Sequence, residues 1–246
     1  IREVTDNLEQ MKTRTALEIA FFEIWNDFRW YIRRKGKTKA KIPKEALKMW
    51  VRLLAPFAPH LCEEMWSSLG EKDFVSLASW PKPDKRLMDI RIEESENFVK
   101  SIIEDTQNIM RATKTIPSKI YYYTSAPWKW KLYFTTLEKA TEGKLETSAL
   151  IRELLKEPKL KEHAKEVAKI APKVAEEVMK MPEEKRKTQL NIGVLDEYDV
   201  LEKTRSFLTE EFKAEIHVFK EDDQRCYDPK GRAKFTKPYR PAIFIE

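Results

Sequence analysis

The sequence predicts a mainly α protein: a helix bundle over residues 1–89, followed by a smaller α+β domain over residues 90–246. Three observations carry this. Glycine is scarce, 5 residues in 246, while Lys, Arg, Glu, Leu and Ala abound, a balance that favours helix over turn-rich sheet. In the first part apolar residues recur at spacings of three and four, the repeat of an amphipathic helix. In the second part helical stretches separate short segments rich in aromatic and β-branched residues, as in an α+β fold.

Residues 1–35 read as helix, because Leu17, Ala20, Phe21, Ile24, Trp25, Phe28 and Ile32 recur at helical spacing with charges between them. Residues 35–41, KGKTKAK, form a polar basic loop. Pro43 suits the first turn of the next helix, whose apolar face is Leu47, Trp50, Val51 and Leu54. The stretch LLAPFAPHLCEEMW, residues 53–66, breaks that pattern with two prolines. Each proline removes its own backbone donor and clashes with the preceding turn, so the chain is expected to bend at 56–59 and restart. Phe57, Leu61, Met65 and Trp66 are then expected to pack, and Gly70 to cap the helix. Residues 80–85, WPKPDK, read as a linker.

Beyond the linker, Phe98, Ile102, Asp105, Ile109 and Met110 mark a long helix ending near Thr113, and KIYYYT at 119–124 reads as a strand. Pro127 opens a helix through WKWKLYFTTLEKA, and residues 147–155 give another. Residues 161–181 give a third, with Ala164, Ala168, Ala171, Val174, Ala175 and Val178 on one side. Asp196 can cap a helix running through Phe207 to Glu211, and strands follow at 214–219 and 241–246. No internal repeat or low-complexity segment appears.

Composition narrows the function classes. Charged residues of both signs make up 36% beside 41% hydrophobic content, which argues against disorder. Abundant Lys and Glu with few Asn, Gln and Cys would suit a hyperthermophile. The two cysteines, Cys62 and Cys226, make no disulfide framework and no CxxC zinc pair. With no long apolar run and no signal-peptide pattern, the expectation is a soluble, cytoplasmic protein away from membranes. The chain opens at Ile1 already in helical pattern and is expected to be a piece of something longer. Net charge is a modest +6, yet residues 27–52 hold ten Lys/Arg against two acids. That window is more basic than the whole chain, and a concentrated cationic patch suggests a polyanionic partner.

The candidate sites differ in weight. His60, Cys62, Glu63 and Glu64 invite a metal or acid/base reading, but His60 and Cys62, two apart on a helix, point in different directions and cannot share an ion as an i, i+4 pair does. The stretch reads as a structural joint. Arg29, Arg33, Arg34, Lys35, Lys37, Lys39 and Lys41 are either a solvated helix end and loop or an RNA surface. Trp30 and Tyr31 shift the balance, because aromatics between cations can stack on exposed bases. Lys161, Lys165, Lys169 and Lys173 line one helix face among glutamates and read as a solvated face. Of Trp128 and Trp130, one is expected in the core and the other partly exposed. Lys230, Arg232, Lys234, Lys237 and Arg240 precede an apolar end, readable as an edge strand with a basic lead-in or as a contact to nucleic acid. No P-loop, GxGxxG, HExxH or GxSxG occurs, so the residues themselves support no catalysis and no cofactor in this chain.

LLAPFAPHLCEEMW, preceded by ALEIAFFEIWNDFRWYIRR and followed by SWPKPD, resembles the helical anticodon-binding domain of class I aminoacyl-tRNA synthetases, in the Leu/Ile/Val/Met subgroup. PWKWKLYFTTLEKA and DPKGRAKFTKPYRPAIFIE look like the C-terminal region of archaeal-type leucyl-tRNA synthetases, so the resemblance covers nearly the whole chain. It implies a bundle that packs along tRNA and a C-terminal domain that meets the long variable arm of leucine tRNA. Carried onto this sequence, Ile243, Phe244, Ile245 and Glu246 with Arg240 would lie near the arm's tip, and Lys230, Arg232, Lys234 and Lys237 would contact phosphates. Deleting residues 243–246 is then expected to weaken tRNA binding and leave the fold intact. HIGH- and KMSKS-type motifs are absent, so ATP, Mg and leucine activation would belong to a catalytic body outside this chain. An isoleucyl or valyl counterpart, or a basic helical protein-interaction module, are the alternatives.

Overall fold

The structure, a computed structural model, describes residues 1–246, the side chain of Lys159 excepted. It divides into two compact units, Ile1–Met88 and Asp89–Glu246.

The first unit is all helical. Helix α1 (Arg2–Glu9) ends in a turn before α2 (Thr13–Glu18), so the expected continuous helix over 1–35 is interrupted. Met11 takes φ 57, and the N–H groups of Met11 and Lys12 donate back to the carbonyls of Leu8 and Asn7 at 3.0 and 2.8 Å. This is a glycine-type helix ending built on methionine, and no glycine announces it in the sequence. A π-helical turn (Ile19–Glu23) leads into α3 (Ile24–Lys35). There the Ala20 carbonyl accepts from Trp50 Nε1 at 2.7 Å, and the Trp50 ring stacks on Trp25 at 6.1 Å.

Helices α4 (Lys44–Leu54) and α5 (Pro59–Ser68) meet at the proline joint, where Ala58 leaves helical geometry at φ −138. The joint is as expected, but its packing is shifted by one residue. Leu61 is 57% exposed, and Cys62, at 0%, enters the core with Val4, Ala16, Ala20, Val51 and Leu53. The restart at Pro59 rotates the helix so that Cys62 and Trp66, an i, i+4 pair, face inward. At the other end Gly70 N–H donates to Ser67 O at 2.8 Å and Glu71 N–H to Trp66 O at 3.3 Å, with Gly70 at φ +80. That is the predicted glycine cap.

In the second unit α6 (Ile90–Thr113) starts on an Asp89 cap and runs to β1 (Lys119–Thr124). Helices α7 (Pro127–Thr141), α8 (Thr147–Leu154), α9 (Pro158–Lys161), α10 (Ala164–Lys180), α11 (Glu183–Ile192) and α12 (Glu197–Phe212) follow, then β2 (Glu215–Lys220) and β3 (Ala242–Ile245). The expected helix over 161–181 is thus two pieces broken at 162–163. Its buried stripe is Val167, Ala171, Val174, Ala175 and Val178, while Ala168 is exposed. Pro172 lies on that exposed side and removes the donor for the Ala168 carbonyl, which water can serve there. Helix α11 has no apolar stripe and no counterpart in the sequence reading; it buries only Gln189 and Ile192.

The sheet has the order β2-β1-β3, with β1 parallel to β2 and antiparallel to β3. Ile120 and Tyr122 of β1, Ile216 and Val218 of β2 share one face, where Tyr122 Oη bonds Thr106 Oγ1 of α6 at 2.9 Å. On the other face Tyr121 sits between His217, 5.0 Å, and Phe244, 5.6 Å between ring centroids, with Tyr227 at 5.2 Å.

Candidate nucleic-acid interface

In the first unit the basic residues gather at one helix end. Arg33, Arg34 and Lys35 form the last turn of α3, where cations complement the helix dipole, and Gly36 at φ 82 turns the chain out. Residues 36–42 then fold back. Lys39 and Ala40 N–H donate to Gly36 O at 3.0 Å, and Tyr31 Oη donates to Lys41 O at 3.2 Å. The backbone is therefore shaped while the charges point outward: Arg29, Arg33, Lys35, Lys37, Lys39 and Lys41 are exposed and Arg34 is half-buried. Trp30 and Tyr31 are half-buried, and Arg33 lies 5.8 Å from the Trp30 ring. Lys48 is engaged by Glu71 at 2.8 Å and Glu45 at 3.0 Å, and both raise its pKa.

The second unit carries the other predicted group on one segment, residues 230–246. Lys230, Arg232, Lys234 and Arg240 are exposed, and the Lys234 ammonium lies 5.2 Å from the Phe235 ring. Lys237 is half-buried and bonds Glu177 Oε1 at 2.5 Å. An adjoining cleft of about 760 Å³ has a mixed lining, with Glu94, Asp105, Glu177 and Glu184 beside Lys185, Lys237 and Arg240 at its edge. Ile243, Phe244 and Ile245 are half-buried in β3, paired to Tyr122, Tyr121 and Ile120.

Glu246 is held as firmly. Its carbonyl accepts from the N–H groups of Ser118 and Lys119 at 2.6 and 3.0 Å, and its carboxylate accepts from Tyr121 and Tyr227 hydroxyls, each at 3.1 Å. Burial first, then that carboxylate, pushes the Tyr121 hydroxyl up to about 12. The tail is thus a sheet strand. Removing residues 243–246 would uncover β1, so the expectation that their deletion leaves the fold intact is corrected.

Two buried groups, Lys129 and Glu197, and the half-buried Glu221, all missed by sequence reasoning, hold this segment. Lys129 of α7 is 3% exposed, pairs with Glu221 Oε1 at 2.8 Å, and donates to Lys234 O and Thr236 O at 2.9 Å and to Thr236 Oγ1 at 3.0 Å. Burial lowers its pKa even beside Glu221. The other Glu221 oxygen accepts from Thr236 Oγ1 at 2.9 Å and Ala126 N–H at 3.3 Å. At the start of α12, Glu197 is 2% exposed, and its two oxygens accept from Ser125 N–H at 3.1 Å and Tyr239 N–H at 2.6 Å. Burial pushes this carboxyl up to about 8 although both N–H groups favour its charge. Tyr239, at φ 64, holds a left-handed conformation that costs about 1–2 kcal/mol for such a residue. The periodicity did hold one signal: Lys129 shares the helix face of Leu132, Tyr133 and Thr136, all buried.

The remaining candidates disperse. His60 is exposed, Cys62 is buried, and Glu63 accepts from Val75 and Ser76 N–H at 2.9 and 3.4 Å. Among the described residues no group of three or more His, Cys, Asp and Glu could hold a metal ion, and no helix is long and apolar enough to cross a membrane. Lys161, Lys165, Lys169 and Lys173 are exposed. Trp130 is 6% exposed, whereas Trp128 is half-buried and stacks on His163 at 4.8 Å.

Comparison with known sequences bears on what this surface serves. The family described as the anticodon-binding domain of tRNA ligase matches residues 1–125. The whole chain is similar to leucine–tRNA ligases of archaea. Identity is 38% over 248 residues with that of Methanococcoides burtonii, 39% over 246 with that of Methanosarcina acetivorans, and 36% over 251 with that of Pyrococcus abyssi. All of this chain is covered in each case, against 25%, 25% and 24% of the relative, so the chain spans about a quarter of the length of these curated relatives.

Proposed function

The chain belongs to the family of tRNA-ligase anticodon-binding domains, and from that premise we propose that it is the tRNA-binding part of a leucine–tRNA ligase. One observation carries the leucyl reading: similarity to leucine–tRNA ligases extends over the second unit as well as the first. In this reading ATP, Mg and the chemistry of leucine activation reside in a catalytic body that these residues adjoin in the cytoplasm.

The first unit would dock the tRNA. Arg29, Arg33, Arg34, Lys35, Lys37, Lys39 and Lys41 neutralise phosphates, releasing counterions and giving an affinity that falls steeply with salt. Their placement on a helix end and a folded-back loop supports this, since the backbone is ordered before RNA arrives. The second unit would read the long variable arm, whose unpaired tip bases are accessible as bases inside an A-form helix are not. Lys230, Arg232, Lys234 and Arg240 supply charge beside β3, with Ile243 to Glu246 presenting a fixed edge, and Lys237 joining once it leaves Glu177.

The test is a binding titration of this chain at two salt concentrations against leucine tRNA, leucine tRNA with a shortened variable arm, and isoleucine tRNA. Weaker binding on shortening the arm, with leucine tRNA preferred, is the expected result. Equal salt-sensitive binding to all three would reduce the second unit to an unspecific basic surface. No binding at either salt would overturn the reading.

A further inference from the structure

Within the second unit, the turn at 237–240 is held in a conformation that Tyr239 disfavours. Arg240 N–H donates to Lys237 O at 2.8 Å and Lys237 N–H to Arg240 O at 3.0 Å, with Pro238 and Tyr239 between them. Proline followed by a residue at positive φ is the pattern of a type II turn, which asks for Gly or Asn where Tyr239 stands at φ 64. Such strain persists only where the surroundings over-determine it. They do so from both sides. Glu197, itself fixed by Ser125 N–H, accepts the Tyr239 N–H at 2.6 Å, and the Tyr239 ring lies 5.1 Å from Trp130 and 5.9 Å from Tyr133. Just upstream, Lys129 fastens the carbonyls of Lys234 and Thr236.

What these anchors secure is the direction of two cations. Lys237 is committed to Glu177. Arg240 is exposed, and its guanidinium has no ion pair or hydrogen bond among the described residues. The buried Glu197, the strained Tyr239 and the buried Lys129 therefore converge on residues 234–240, at whose end Arg240 faces solvent without an ion pair among the described residues.

We propose that the 237–240 turn is a preorganised presenter of Arg240 to an RNA phosphate, and that Glu197 and Tyr239 are its positioning residues, acting through the backbone without touching RNA. The inference rests on the tRNA-binding reading and adds the residues that aim the contact. A guanidinium binds phosphate through a planar fork, so its benefit depends on orientation, and ordering the backbone in advance removes that cost from binding.

The experiment is a titration of the whole chain with leucine tRNA, after far-UV circular dichroism has established that each variant is folded. Arg240→Ala sets the scale, with affinity about tenfold weaker and a salt slope shallower by about one. Tyr239→Asn and Tyr239→Val lose the same ring contacts, but asparagine tolerates the left-handed conformation and valine does not. The Asn variant is expected to bind within about twofold of the parent, and the Val variant to fall to the Arg240→Ala level. Glu197→Gln should weaken binding in the parent but add nothing on top of Arg240→Ala, a non-additivity that a general structural role does not produce. The inference is overturned if Asn and Val variants bind alike, or if Glu197→Gln weakens both backgrounds equally. Arg240→Ala binding as tightly as the parent overturns it while the tRNA reading stands. Absence of binding by the parent overturns both.

Discussion

Lys129→Met keeps the aliphatic stem of a side chain that is 3% exposed and removes its ammonium. That ammonium lies 2.8 Å from Glu221 Oε1, where an effective dielectric constant of about 20 gives an attraction of about 6 kcal/mol. Burial nevertheless lowers the lysine pKa, so desolvation outweighs that attraction and the net worth of the pair is small. Breaking it is another matter. Methionine leaves Glu221 without its cation and the carbonyls of Lys234 and Thr236 without their donor. Removing one member of a buried pair costs about 3–5 kcal/mol, and the 16% exposure of Glu221 puts the loss near the lower end, about 3 kcal/mol. In the transition of the second unit this corresponds to roughly 6–12 °C. Urea unfolding reads the free energy, and native-state hydrogen exchange locates it: amides of residues 230–240 should lose protection while those of 44–66 keep theirs. The double variant Lys129→Met/Glu221→Gln should be less destabilised than the single one. A loss below about 1 kcal/mol, or a double variant no better than the single, refutes the reasoning.

Three further outcomes follow from local geometry. Glu197 has a folded pKa of about 8 against about 4.3 unfolded, so between these values the folded state binds more protons and stability falls as pH rises. Urea midpoints at about pH 5 and about pH 8.5 should show this fall, and Glu197→Gln should flatten it; an unchanged slope in the variant would assign the effect elsewhere. At the proline joint, Cys62→Ser buries a hydroxyl and should cost about 1–3 kcal/mol, whereas Leu61→Ser, at a position 57% exposed, should stay within about 0.5 kcal/mol. Equal losses in thermal unfolding would mean that the inward face of α5 is misassigned. Gly70→Ala forces a Cβ onto φ +80 and should destabilise the first unit by about 1 kcal/mol, and a neutral result would contradict the glycine cap.

Much of the candidate site was legible because it is local. The cations of 29–41 and 230–240 are visible as composition, and the helix end and loop that carry the first group follow from periodicity and one glycine. Less legible were the partners of these and neighbouring cations. Lys237 and Glu177 are sixty residues apart in sequence, and Lys48, beyond the first group, meets Glu71 across the α4–α5 hairpin. The resemblance in LLAPFAPHLCEEMW and DPKGRAKFTKPYRPAIFIE pointed to the family, and no structural feature was needed for that.

By itself the sequence determined the element types whose signals lie within one turn or one strand. Examples are the proline joint at 56–59, the Asp196 cap, the β-rich KIYYYT and the helix that ends at Thr113. These rest on propensity, capping and steric exclusion, which act between near neighbours. Only the tertiary structure decided the rest: that Cys62 and not Leu61 turns inward, that EEKRKTQLNI is a helix without an apolar stripe, and that the expected strand at the tail pairs antiparallel with β1. It alone placed Lys129, Glu197 and Glu221 under the basic turn. The Glu197–Ser125 and Lys129–Thr236 bonds span 72 and 107 residues, so no local pattern encodes them. A buried charge is stable only where distant backbone groups converge to satisfy it, and that convergence is a property of the folded chain.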